Sequence, residues 1–138
     1  MTYCVAMRLD RGLVFAADTR TNAGVDNVAQ YRKLHYWRQP GERVIVLLSA
    51  GNLAVTQSVV SNLNEQLADP NPPGATLFTV PSMYRAARLV GDAVRDVRRQ
   101  DGAALEMSKG GFSASFLLGG QIANERPRLY QILSLIHI

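Results

Sequence analysis

Thr2-Tyr3-Cys4-Val5-Ala6-Met7-Arg8-Leu9, Asp10-Arg11-Gly12 and Leu13-Val14-Phe15-Ala16-Ala17-Asp18-Thr19 form the stretch that decides the fold. The first segment sets apolar and β-branched residues in near alternation, the pattern of a strand with one buried face. Asp10-Arg11-Gly12 is turn chemistry, and a second strand follows it. Placing Leu9 opposite Leu13 puts Thr2 opposite Arg20, with Asp18 as its diagonal neighbour. Side chains alternate with period two, so Thr2 and Asp18 then lie on one face. Diagonal neighbours stand roughly 7–8 Å apart. One long cationic side chain could bridge that gap, and Lys33 is a candidate.

Working outward, residues Thr21 to Gln30 are polar and read as a loop. Lys33 to Trp37 is expected as a third strand, closed by the turn residues Gln39-Pro40-Gly41-Glu42. Arg43 to Ser49 is a continuous apolar run of strand length, expected to be buried on both faces. Ala50-Gly51-Asn52 leads into a helix: Asn52 is a good N-cap, and Leu53, Val60, Leu63 and Leu67 recur at helical spacing. Asp69-Pro70-Asn71-Pro72-Pro73-Gly74 ends it. A second helix is expected from Pro81, a favoured first-turn residue, to about Gln100. Its apolar stripe is Met83, Ala87, Val90, Val94 and Val97, which reads as core. Asp101-Gly102 and Lys109-Gly110-Gly111 are read as bracketing a flexible link. Strands follow over Phe112 to Gly120 and Arg128 to Ile132.

Bulk properties narrow the function. A chain of 138 residues with 47% hydrophobic content is at most one domain, long enough for a core. Its longest apolar run, Val44 to Leu48, is far short of the ~20 residues of a membrane span. No signal-peptide pattern precedes Thr2, which places the expected site of action in the cytoplasm, with no membrane partner. The single cysteine, Cys4, fits a reducing compartment and the role of a small buried hydrophobe. Net charge is +4, but the arginines are scattered, with a small cluster at Arg95, Arg98 and Arg99. That gives no concentrated basic face with stacking aromatics, so nucleic acid is not an expected partner. His35 and His137 sit in unrelated surroundings, so neither a metal site nor a cofactor is expected. Only two of the 15 basic residues are lysine, Lys33 and Lys109. Lysine can sit as a compact charge where arginine cannot, which gives Lys33 weight as a site residue.

Several spaced motifs together resemble a known family. They are Met1-Thr2, Gly12-Leu13-Val14-Phe15-Ala16-Ala17-Asp18-Thr19-Arg20-Thr21, Asn22-Ala23-Gly24-Val25-Asp26-Asn27, Tyr31-Arg32-Lys33-Leu34 and Ser49-Ala50-Gly51-Asn52. The chain resembles the proteasome-type threonine peptidases of the N-terminal-nucleophile hydrolase superfamily, and most nearly their bacterial Anbu, or ancestral β-subunit, branch. The resemblance implies an α+β fold, the four-layer αββα sandwich, here C-terminally truncated. Residues 1–132 would be part of the peptidase domain. The last six residues, Leu133-Ser134-Leu135-Ile136-His137-Ile138, are what the end of a transposon-type sequencing adaptor encodes in frame, and are expected to be a non-native tail.

The same resemblance implies a self-compartmentalising endopeptidase built as a homo-oligomer, acting on unfolded proteins or peptides. An unfoldase partner is not specified. Thr2 would be the nucleophile once Met1 is removed, and its own α-amine the base. That amine has an ordinary pKa of ~7.7–8.0, close to working pH. Lys33 would lower the proton affinity of the hydroxyl, and Asp18 would hold Lys33. The Gly51 N–H would meet the oxyanion, and the Thr21 backbone would pair with an extended substrate. The family's downstream serine and aspartate have no counterpart here, and Ser113 and Ser115 lie too early to replace them. Two alternatives stand beside this reading: a catalytically inactive assembly subunit, and a small-amide acylase on the same fold. The acylases usually present cysteine or serine at the new N-terminus, and inactive subunits have no need of the trio Thr2, Asp18 and Lys33.

Overall fold

The computed structural model describes residues 1–22, 28–107 and 111–133. The opening hairpin consists of β1 (Cys4–Leu9) and β2 (Gly12–Ala17). Its register differs by one from the expectation. Leu9 pairs with Gly12 and Cys4 with Ala17, because Asp10 and Arg11 alone make the turn. Beyond the ladder the same register sets Tyr3 beside Asp18, and the Asp18 N–H donates to the Tyr3 carbonyl at 3.0 Å. Thr2 is therefore opposite neither Arg20 nor diagonal to Asp18 on a shared face.

The segment read as a polar loop contains two short paired strands, β3 (Arg20–Asn22) and β4 (Val28–Gln30). The motif residues 23–27 between them lie outside the described residues. The main sheet follows: β5 (Leu34–Gln39), β6 (Arg43–Gly51), β7 (Ala114–Ile122) and β8 (Arg128–Leu133), antiparallel and in that order. Lys33 stands just before β5. Leu133 is the last residue of β8, paired with Ser115, and the rest of the expected tail lies outside the described residues.

Alternation divides this sheet into two faces. Trp37, Ile45, Leu47, Phe116, Leu118 and Ile132 share one face and are buried under α1 (Leu53–Ala68) and α2 (Met83–Glu106). The Trp37 indole N–H donates to Asn64 of α1 at 2.8 Å, tying helix to sheet through the polar atom of a buried ring. Arg43 donates to the carbonyls of Leu77 and Val80 at 3.0 and 2.8 Å, fixing the link between the helices. The first hairpin covers the opposite face, and Phe15 rests on Gly119 so closely that a Cβ there would lie 2.6 Å from its ring. This cover is partial. Leu48 is buried but Val44 is 41% exposed, so the run in β6 is not buried on both faces throughout.

The stripe Met83, Ala87, Val90, Val94 and Val97 is core. The helix bounds moved, however. Pro81 lies outside α2, and Ser82 is the N-cap, its hydroxyl accepting from the Arg85 N–H at 3.2 Å. Asp101-Gly102 is not a link: α2 continues to Glu106, with Gly102 buried beside the Arg98 stem and Leu105 packed on the core. Lys109 and Gly110 lie outside the described residues. Leu53, at helical spacing with Val60, Leu63 and Leu67, is 37% exposed, whereas Val55, two residues on, is fully buried. The arginine cluster is a solvated helix face: Arg95 pairs with Asp92, Arg99 with Asp96 at 3.1 Å and Arg98 with Glu106 at 3.8 Å. Among the described residues no helix is long and apolar enough to cross a membrane, and no group of side chains is placed to hold a metal ion.

Candidate active site

Strand ends converge at one place: the start of β1, the end of β2, β3, the residue before β5 and the end of β6. Asp18 follows β2, and its carboxylate turns back along the hairpin. One oxygen accepts from the Tyr3 N–H at 2.8 Å, the other from the Arg20 N–H at 3.3 Å. Lys33 reaches both oxygens, at 2.9 and 3.0 Å, and also donates to the Arg20 carbonyl at 2.5 Å. With these three contacts all donors of the ammonium are used. Lys33 is 3% exposed, and a charge so placed is tolerated only when paired and hydrogen-bonded. The Tyr3 N–H, and next the Lys33 ammonium, hold the Asp18 carboxyl down at about 2. At neutral pH Asp18 is therefore a carboxylate.

Thr2 lines a cavity of about 210 Å³ with Cys4, Leu48, Ala50, Ser115, Leu117 and Gln131, between the hairpin and the less covered sheet face. Cys4 is only half-buried, and its thiol points to the Ser49 carbonyl at 3.6 Å. Burial pushes that thiol up, away from the reactive thiolate. Thr2 adjoins Tyr3, whose backbone N–H and C=O are both bonded to Asp18. The structure thus brings Asp18 and Lys33 into direct contact and sets Thr2 one residue from the segment that Asp18 anchors.

Gly51 ends β6 with φ of +109°, a conformation that favours glycine, and a Cβ there would lie 2.5 Å from the Ser113 carbonyl. The ladder decides where its N–H points. Ser49 donates to Lys33 on the β5 edge at 2.9 Å, and Asn52 donates to Ser113 on the β7 edge at 2.8 Å. Antiparallel bonding alternates along a strand, so the Gly51 N–H falls on the β5 edge, two residues past the Ser49 bond to Lys33.

The same arithmetic corrects the expectation for Thr21. Tyr31 donates to the Thr19 carbonyl at 2.7 Å. Thr21, two residues on and paired with Ala29, therefore turns its backbone groups into β4, and its hydroxyl also donates to the Ala29 carbonyl, at 3.0 Å. The outward-facing backbone groups of β3 belong to Arg20 and Asn22. Sequence reading missed the Tyr3 amide, the Arg20 carbonyl and the Asn22 backbone; a hairpin register shifted by one would have pointed to the first.

The fold has counterparts among solved structures. An Anbu (Gly-1) mutant from Hyphomicrobium sp. strain MC1 is 64% identical over 97% of this chain and 53% of its own, with a TM-score of 0.85. Anbu, the ancestral β-subunit, from Yersinia bercovieri is 49% identical over the same shares, also at 0.85. The chain belongs to the Anbu family. The helical assembly of the Anbu complex from Pseudomonas aeruginosa is 46% identical over 96% of this chain and 53% of its own, at 0.86. The chain thus spans about half the length of the Anbu structures it matches. No protein-family model and no curated protein matches it. The proteasome-type resemblance read from the motifs agrees with Anbu membership.

Proposed function

We propose that the chain is a subunit of a self-compartmentalising, homo-oligomeric threonine peptidase that cleaves peptide bonds in unfolded proteins or peptides. The observation that carries this reading is the buried Lys33 ammonium, bonded to the Arg20 carbonyl and to both oxygens of Asp18, which also accepts from the Tyr3 N–H just before β1. A structural ion pair does not need a lysine so enclosed, and Tyr3, which donates to its partner Asp18, is the residue after Thr2. Likeness to Anbu, one example of which forms a helical assembly, supports the homo-oligomer.

With Met1 removed, the Thr2 amine takes the hydroxyl proton as Oγ attacks the substrate carbonyl. The positive field of Lys33 favours the developing alkoxide, and Asp18 keeps Lys33 charged and in place. The Gly51 N–H meets the oxyanion. The amine's proton passes to the leaving nitrogen as the C–N bond breaks, leaving an ester on Thr2 that water hydrolyses. An extended substrate would lie along β3, pairing with the backbone of Asn22 rather than Thr21. In this reading the two helices and two β layers seen here belong to a four-layer αββα sandwich. Residues 1–132 are part of that domain.

Peptide and small-amide hydrolysis by protein beginning at Thr2, compared with Thr2→Ala, tests the function. Peptide turnover lost in Thr2→Ala is expected. Turnover confined to small amides would favour an acylase, and none at all an assembly subunit.

A further inference from the structure

We infer that Asn52 is a positioning residue for the Gly51 N–H, acting through the segment 111–113. This rests on the oxyanion role proposed for Gly51. Four groups of Asn52 are engaged at once. Its side-chain oxygen accepts from the Ala54 and Val55 N–H groups at 2.9 and 3.4 Å, capping α1. Its carbonyl accepts from Thr56 at 3.0 Å, and its own N–H donates to the Ser113 carbonyl at 2.8 Å. The remaining group, the side-chain amide, reaches across to the Gly111 carbonyl at 3.0 Å.

An N-cap needs only the oxygen, and aspartate or serine would serve as well. The amide bond to Gly111 has no part in capping. What it does is hold the backbone that carries Ser113, the group against which Gly51 is pressed. Gly111 sits at φ of +56°, where glycine has latitude, so the segment leading into β7 gains its definition from its ties. One is Asn52; the other is Phe112, whose ring lies 5.7 Å beneath the Arg98 guanidinium of α2. Loosening the first tie lets Ser113 shift. The Asn52 N–H follows Ser113, and the Gly51 dihedrals that aim its N–H follow Asn52. An oxyanion donor is effective only when aimed in advance, so this displacement is felt in the transition state and little in substrate binding.

Asn52→Ser and Asn52→Asp separate the tie from the cap, since both keep a capping oxygen and lose the amide donor. Steady-state peptide hydrolysis, thermal unfolding and hydrogen–deuterium exchange over residues 49–53 and 111–114 are measured on the assembled protein. Both variants are expected to lose about tenfold in kcat with KM within about twofold, the pattern of an interaction made only in the transition state. Unfolding temperature should be nearly kept, and exchange should rise in both segments. Unchanged kcat together with unchanged exchange in Asn52→Ser overturns the inference. So does a kcat loss that merely tracks a fall in unfolding temperature. If the parent protein proves inactive, the peptidase reading fails on its own, and the exchange measurement still decides whether Asn52 sets the Gly51 turn.

Discussion

The ammonium of Lys33 lies 2.9 and 3.0 Å from the two carboxylate oxygens of Asp18, and the lysine is 3% exposed while its partner is 31% exposed. The pair is asymmetric: the acid touches solvent and the base is enclosed. Such an arrangement delivers a positive charge inward and leaves the counter-charge at the rim, so the field of the ammonium is little screened on the enclosed side.

Lys33→Arg keeps the charge but replaces a compact ammonium with a planar fork that grips a carboxylate bidentately. The charge centre would stay with Asp18 and leave the Thr2 hydroxyl. Peptide hydrolysis is expected to fall by about 10²–10³, the scale for removing one preorganised electrostatic group. Assembly, read by sedimentation, should persist. Near-normal turnover would make Lys33 a structural partner of Asp18 only.

The Asp18 carboxyl, held at about 2, sets a pH window. A carboxyl with a depressed folded-state pKa stabilises the fold fully above its ordinary value of ~3.9, and that contribution disappears as pH falls toward about 2. Denaturant midpoints measured from pH 5 to pH 2 should therefore fall with acid in the parent protein, and less steeply in Asp18→Asn. Identical slopes would remove the coupling.

Gly51→Ala places a methyl group 2.5 Å from the Ser113 carbonyl at φ of +109°. Backbone strain of this kind costs on the order of 1–3 kcal/mol before the clash is counted. Lower unfolding temperature and loss of peptide hydrolysis are expected together. An alanine variant with parent stability and activity would contradict the geometry of this turn.

The outer face of the first hairpin is apolar and uncovered: Tyr3 is 70% exposed, Leu9 55%, Met7 46% and Val14 43%. The chain is expected to self-associate through this face, and Met7→Lys with Leu9→Lys should raise solubility. A preparation with this face intact that sediments as a monomer would contradict it.

Much of this was legible from residue order. The alternation of Cys4 to Ala17 gave the hairpin, the stripe from Met83 to Val97 gave the second helix, and Asn52 announced the first. The scarcity of lysine drew attention to Lys33. What failed was geometry that single residues do not encode. Whether Asp10-Arg11 or Asp10-Arg11-Gly12 makes the turn shifts every pairing by one, and that shift decides what lies opposite Asp18. The backbone direction of Thr21 depends on which carbonyl Tyr31 finds. Gly102 looked like a breaker, yet α2 runs through it to Glu106 with that glycine buried. Asn52 was readable as a cap, but its tie to Gly111 spans 59 residues and has no sequence signature.

The central claim is that Thr2, freed of Met1, attacks the substrate through its own hydroxyl. Mass analysis of the N-terminal peptide after a brief reaction with an activated peptide ester tests it most directly. The account predicts a chain that begins at Thr2 and carries the acyl group on that residue, with no adduct in Thr2→Ala. Full turnover by protein that retains Met1, or an acyl group found on Cys4 or elsewhere, would contradict it.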